Sequence, residues 1–513
     1  MSRKRRRPDI RTVIIRVLQL FGVYALVCVL LIPLFHREAD EEAAAQVVQE
    51  VFGNDDTAET DESDSSISDG ATSDSAYSSD ANAEKNGDDI SINSSDSQVG
   101  QSQERILCID DNVDALIWRL RVIEEAEEEI ILTTFDFWDD ESGRDIMSAL
   151  YAAAERGVHV KILIDGLKGE FKIEDSDFFQ TLIAHENVEA KFYNPFQLTN
   201  LWTVNYRMHD KYLIADDEVY ILGGRNTNNL FLGDYVERTN MDRDMLVYEA
   251  GEEQGTLAEL KAYFDEIWEQ SCNETLNGSA DTETCSELLE HYASLKERYP
   301  EAFMETDWEG ATIACDKIIL LTGETEAFNK TPQIWETICA LMEESEEIII
   351  QTPYVVCGWE MYADLTSLCD AGKSIEIITN AVENGANPFG CVDYLSQKNE
   401  ILDTGVSVYE WIGDQSMHAK TILLDDNISI VGSFNLDMRA VYLDTEMMLV
   451  IVSSELNAQL REQMDELKEA SCHVLPDGEE EYGAVYEEIE MGTGKKIFYT
   501  GLRVITRLFR HLL

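Results

Sequence analysis

Positive charge is what this chain has least of. Among 513 residues, 39 are Lys or Arg and 101 are Asp or Glu, a formal charge of −62. That balance excludes a general nucleic-acid binder, because phosphate contacts need a basic surface. Metal-ligand spacing is also missing. The ten cysteines (28, 108, 272, 285, 315, 339, 357, 369, 391 and 472) form no C-x-x-C pair, which excludes the common zinc frameworks. Six of the eight histidines (36, 159, 185, 291, 473 and 511) form no cluster with acids. No metal or other cofactor is therefore expected. Cys272 and Cys285 bracket a polar loop and could bridge if the domain is exported. A hydrophobic fraction of 44% with 9% aromatics excludes a wholly disordered chain, and the length allows two to four domains.

The scarce cations lie at the two ends. Residues 1–37 carry eight Lys/Arg and one Asp, and residues 38–96 carry eighteen Asp/Glu against one Lys. Residues 491–513 carry five Lys/Arg and no acid, which leaves a net −57 on residues 97–490. Such a body is repelled by anionic membrane unless something tethers it. The run Val17–Phe35 follows a basic flank, has only Gln19 clearly polar, and is just long enough to cross a hydrocarbon core. A cleaved signal peptide would have a shorter apolar region and a small-residue cleavage site after it. Residues 1–37 are therefore expected to be a signal anchor with a transmembrane helix. The protein is then single-pass in the cell membrane, its N-terminus cytoplasmic and its folded domains extracytoplasmic. Residues 38–103, with DESDSSISDGATSDSAYSSD, read as a disordered acidic linker.

The body is duplicated. EEIILTTFDFW (128–138) is echoed by EEIIIQTPYVV (346–356), and GVHVKILIDG (157–166) by GKSIEIITNA (372–381). Apolar strands separated by helical stretches predict an α/β fold of two similar domains, 104–300 and 301–482, followed by a helix within 483–513. In that last segment Lys496, Thr500, Arg503, Arg507 and Arg510 share one helical face, and Phe498, Leu502, Ile505, Phe509 and Leu512 another. This is the pattern of a basic amphipathic helix at a bilayer interface, or else of a helix packed on the domain.

The chemistry lies in a second repeat. MHDKYLIADDEVYILGGRN (208–226) and MHAKTILLDDNISIVGSFN (417–435) match at one offset: His209/His418, Lys211/Lys420, Asp216/Asp425, Asp217/Asp426, Ile221/Ile430, Gly223/Gly432 and Asn226/Asn435. His and Lys two apart on a strand face the same way. The Asp pair makes a turn, so Asp216 and Asp425 are expected to brace the hairpin rather than touch substrate. The returning strand brings Gly223–Gly224 or Gly432–Ser433, small residues that let backbone N–H groups approach an anion, and then Asn226 or Asn435. Two such hairpins face to face supply two His, two Lys and two Asn, a set suited to substitution at a phosphodiester. One imidazole attacks phosphorus, the other passes a proton to the leaving oxygen, and the Lys and Asn groups hold the non-bridging oxygens. Each His also needs an acid to set its tautomer. Asp242 and Asp244 follow the first motif and Glu446 the second. Asp244 and Glu446, each opening an apolar strand, are assigned as orienters, against the plainer reading of a solvated strand end.

These blocks resemble the phospholipase D superfamily with both HKD motifs intact. NYRMHDKYLIAD, GGRN, HAKTILLDD, GSFNLDMRA and DTEMMLVI are most similar to bacterial cardiolipin synthases, over roughly 105–480. Ala440 and Asp444 depart from the family's usual Ser and Asn. The resemblance implies two pseudo-symmetric α/β/α domains with the active site between them, and a phosphohistidine intermediate. It gives the nucleophile to His209 and acid–base work to His418. It further implies phospholipid substrates, such as phosphatidylglycerol, at a membrane, and a phosphatidyl transfer that yields cardiolipin. Hydrolysis to phosphatidic acid through the same intermediate is the alternative. Oligomeric state stays open.

Overall fold

The computed structural model describes residues 37–53, 103–249 and 255–513. It contains two nine-stranded sheets of matching order. At the centre of the first, Glu129–Thr134, His159–Asp165 and Val188–Tyr193 run parallel. Beside Glu129–Thr134 the hairpin Tyr212–Ala215/Val219–Gly223 pairs antiparallel, then come Asp244–Glu249 and Glu104–Ile109. The second sheet repeats this with Glu347–Gln351, Ser374–Asn380 and Ser407–Trp411 parallel, the hairpin Thr421–Leu424/Ile428–Gly432, then Met447–Val452 and Lys317–Thr322. The parallel strands are near-continuous apolar runs because both faces are covered. Alternation then splits them. Ile130, Leu132, Ile162 and Ile164 join one core cluster, that of the outer helices Asn112–Glu125 and Glu141–Glu155, while Ile131, Leu163, Ile214 and Val247 join a core continuous with the second domain.

The two domains also exchange backbone pairs. Ser416–Met417 pairs with Asn240–Met241, and Met208 bridges to Thr445. Each histidine motif is therefore entered alongside a segment of the other domain.

Two expectations need correction, the linker and the domain boundary, and two open points gain observations. Within the expected linker, Glu41–Phe52 is a helix capped by Asp40 and packed against Gln333–Glu343. Its Ala44, Val47, Val48 and Val51 recur at helical spacing, a pattern masked by the acidic, Ser-rich residues around it. Ile313–Ala314, beyond the expected boundary at 300, still pairs with Glu104–Ile109 of the first sheet. All nine described cysteines are free, Cys272 and Cys285 among them. The terminal helix, Thr493–Phe509, packs on Pro388–Leu402, with Arg503 bonded to Leu395 and Ser396 and Arg510, just past its end, to Asp393, while Lys496 and Arg507 are exposed. The run Val17–Phe35 lies outside the described residues; among those described, no helix is long and apolar enough to cross a membrane.

Candidate active site

Both motifs lie at the C-terminal ends of the parallel strands, where open α/β sheets place ligands. The middle parallel strand of each sheet, His159–Asp165 or Ser374–Asn380, ends on a side chain that fixes the motif's approach. Asp165 accepts from Met208 N (3.2 Å) and Arg207 Nε (2.8 Å), and Asn380 accepts from Met417 N (2.8 Å). Neither was singled out in the sequence, although ILIDG and IITNA align at that position.

The motif aspartates sit at the opposite end of the sheets. Asp216 and Asp425 occupy left-handed turns, with φ of 53° and 48°. Asp216 accepts from the amides of Glu127, Glu128 and Glu129 at 2.8 Å, and Asp425 from those of Glu346 and Glu347 at 2.9 Å. They tie each hairpin to its neighbouring strand, far from substrate chemistry.

At the site end the halves cross over. His209 Nδ1 lies 2.9 Å from Oε1 of Glu446, and His418 Nδ1 lies 2.6 Å from Oδ2 of Asp242. Each imidazole is thus held by an acid of the other domain, leaving Nε2 for chemistry. Asp244 is not the orienter. It is fully buried between Arg119 (2.9 Å) and Arg225 (3.3 Å), and Arg225 in turn ties to Ile109, Asp110 and Asn112. Sheet register shows why. Gly223 pairs with Asp244 and Gly432 with Met448, so the partner of Glu446 by position is Asp242.

Small residues make room for these acids. A Cβ on Gly224 would stand 2.3 Å from Asp242 Oδ1, and one on Gly432 2.2 Å from Met447 O. Gly223 and Gly432 donate their amides to the carbonyls of Lys211 and Lys420. Ser433, where the first motif has Gly224, donates its hydroxyl to Glu446. Lys211 and Lys420 fold back onto the carbonyls of His209 and His418, and Lys420 Nζ also lies 2.7 Å from His418 Nδ1. Asn226 and Asn435 are buried, and their side-chain oxygens accept from nothing among the described residues. Phe135 and Phe231 set ring edges on His209 and His418 at 5.0 and 4.9 Å. Arg243, unremarked in the sequence, clamps the domains beneath the site through Asp110, Gln351, Thr421 and Gln463.

Burial shapes the charges. It pushes His209 well below the usual imidazole range, helped by Lys211 and Lys420, and it lowers His418 to about 4, with Lys420 adding to it and Asp242 opposing. Burial also lowers Lys211 to about 7 and Lys420 to about 8. It raises Glu446 well above the carboxylate range, whereas at Asp242 burial is outweighed by Lys420 and His418, which hold it well below. Each half's cations act on the other's imidazole, so the groups share one electrostatic site. Two buried ammonium groups easily deprotonated when the site is empty are groups that an anion would re-charge. Among the described residues, no cluster of His, Cys, Asp or Glu could hold a metal ion.

Known proteins resemble this chain in sequence and fold. The family model described as "Cardiolipin synthase, PLD-like domain" matches residues 120–268 and 338–468. Cardiolipin synthase C of Escherichia coli K12 is 28% identical over 406 residues, 69% of this chain and 82% of its own. Cardiolipin synthase 1 of Bacillus cereus is 28% identical over 351 residues, 68% of this chain and 63% of its own. Among solved structures, phosphatidylserine synthase of Haemophilus influenzae Rd KW20 has a similar fold, with a TM-score of 0.56 at 17% identity over 80% of this chain and 95% of that one. With more than half of its length matched, and both histidine motifs inside the matched segments, the chain belongs to the cardiolipin synthase group of phospholipase D-like proteins.

Proposed function

We propose that the protein is a membrane-bound phosphatidyltransferase that makes cardiolipin through a phosphohistidine on His209. The observation that carries this reading is the pair of buried imidazoles, each held at Nδ1 by an acid of the opposite domain. Nε2 of His209, neutral at rest, attacks phosphorus of a phosphatidylglycerol. The P–O bond to the departing glycerol breaks, and that oxygen takes the proton of His418 Nε2. The proton arrives with the substrate, because a phosphodiester anion beside Lys211 and Lys420 offsets their charge and lifts His418 from its resting value. Asp242, ionised, steadies the imidazolium. In the second half the 3′-hydroxyl of another phosphatidylglycerol gives its proton to His418 and attacks phosphorus, and the P–N bond to His209 breaks. Asn226 and Asn435 complete the cradle; a half-turn of either amide aims its NH2 group where the unpartnered oxygen points. One such donor contributes about 3–4 kcal/mol to the transition state.

The names of the relatives, which include cardiolipin synthases, support transfer over hydrolysis. Purified protein incubated with phosphatidylglycerol vesicles, beside His209→Ala, tests this by lipid mass spectrometry. Cardiolipin and glycerol are expected from the wild type alone. Phosphatidic acid without cardiolipin would replace the transferase with a hydrolase, and no product from either would remove phosphatidylglycerol as donor.

A further inference from the structure

Three cations of the terminal segment bond to the domain, and part of its apolar side is exposed. Lys495 donates to Glu383 O, Arg503 to Leu395 O and Arg510 to Asp393, while Tyr499, Leu502 and Thr506 are buried beneath. Ile497, Val504 and Leu508 recur along the outer face. The helix lies against the site's rim, because Arg439 binds the carbonyls of Leu512 and Leu513 at the chain's end and also that of Asn205, in the loop leading to His209. That loop, leaving the parallel strand Val188–Tyr193 at its C-terminal end, carries Leu198 and Trp202. Phe171 stands on the helix after the neighbouring strand, His159–Asp165. These six side chains are between 62% and 80% exposed. Scattered singly they would be unremarkable; gathered on the strand ends that bear the site, they form a collar.

We propose that this collar seats on a lipid bilayer, so that a phospholipid headgroup reaches His209 without leaving the membrane. The occupant follows from the course of the chain. The apolar run Val17–Phe35 reaches the described structure at Arg37, which ion-pairs with Glu324 (2.9 Å). The adjacent Gly323 donates to Glu446 O at 2.8 Å, so Arg37, two residues past that run in the sequence, sits beside the same rim. Exposed Lys172, Lys496 and Arg507 flank the collar, the cations a headgroup layer would meet first on an otherwise acidic body. The collar rests on the reading of phospholipid as substrate, and the test separates the two.

Full-length protein in vesicles of brominated phosphatidylcholine reads the contact without turnover. Wild-type tryptophan emission should be quenched by a larger fraction than that of Trp202→Phe. Equal fractions would overturn the collar. So would extra quenching in the wild type that disappears as the protein is diluted in lipid, which would give the face to a second copy. The variant Val504→Glu with Leu508→Glu should lose at least tenfold in rate on vesicle phosphatidylglycerol and keep its rate on a water-soluble short-chain phosphodiester. Equal loss on both would overturn the proposal as well. Absence of turnover on any lipid, with the quenching difference intact, would sink the substrate reading and leave the collar standing.

Discussion

The two half-sites share a plan and differ in their acids. His418 rests on Asp242, a short carboxylate that Gly224 lets in and that also takes the Arg243 amide at 2.8 Å. His209 rests on Glu446, one methylene longer, whose second oxygen takes the Ser433 hydroxyl. Length and neighbour change together, glycine with aspartate and serine with glutamate, so the distance to the imidazole is kept. Charge is not kept. Asp242 is held ionised beside Lys420 and His418, and burial drives Glu446 toward its neutral form. An ionised partner stabilises an imidazolium, and a partner reluctant to ionise does so less. Duplication supplied two equal halves. The more readily ionised acid lies on His418, the imidazole to which the proposed function gives the proton transfer.

The largest expected effects test whether the halves are interchangeable. His209→Ala and His418→Ala should each reduce turnover of a phospholipid by about 10^5-fold or more. A diester whose leaving group is p-nitrophenolate needs no proton on departure. With it, His418→Ala should recover a burst of p-nitrophenolate equal to one per site, and His209→Ala should not. Recovery by both variants, measured by rapid-mixing absorbance, would erase the distinction drawn between them. Asp242→Asn comes next, with a loss of about 10^2- to 10^4-fold on phospholipid and a smaller one on the p-nitrophenyl diester. An equal loss on both substrates would make Asp242 a part of the first step rather than a partner of the proton donor.

Asp244 separates reading from structure. Opening an apolar strand, it resembles Glu446 in the sequence; register shows it two residues out of step, paired with Arg119 and Arg225. Asp244→Asn should lower stability by about 3–5 kcal/mol in urea denaturation, because two buried guanidinium groups lose their counter-charge. The folded fraction should keep its rate constants. The repeated H-x-K-x4-D and the apolar strands made the duplication, the hairpins and the converging His and Lys legible, since local spacing determines which residues share a face. Contacts across the domain interface were not legible. Nothing in either half tells that Glu446 serves His209 rather than His418, because the exchange depends on Met208 bridging to Thr445 and Ser416–Met417 pairing with Asn240–Met241. Periodicity likewise showed that Thr493–Phe509 has two faces, yet not that Arg503 and Arg510 reach the domain, which Asp393 and the Leu395 carbonyl decide.

The smallest effect is a pH profile, and it bears on the same asymmetry. A phosphodiester anion binds to protonated lysines, and burial has lowered Lys211 to about 7 and Lys420 to about 8. As pH rises through that window the free enzyme loses its ammonium charges one after the other, so kcat/KM should fall roughly tenfold per unit between the two values and more steeply above pH 8. On the acid side His209 must be neutral to attack, and its pKa lies well below 6.5. At saturating phospholipid, where the bound anion has charged His418, kcat should therefore hold from pH 7 down to about 6, instead of declining near 6.5 as an unperturbed imidazole would require. Lys211→Arg keeps its charge at every pH tested and should remove the lower of the two alkaline steps while leaving the upper one to Lys420. If both steps survive that substitution, the alkaline limb belongs to other groups, and the low resting charge of the site is not what prepares it for an anion.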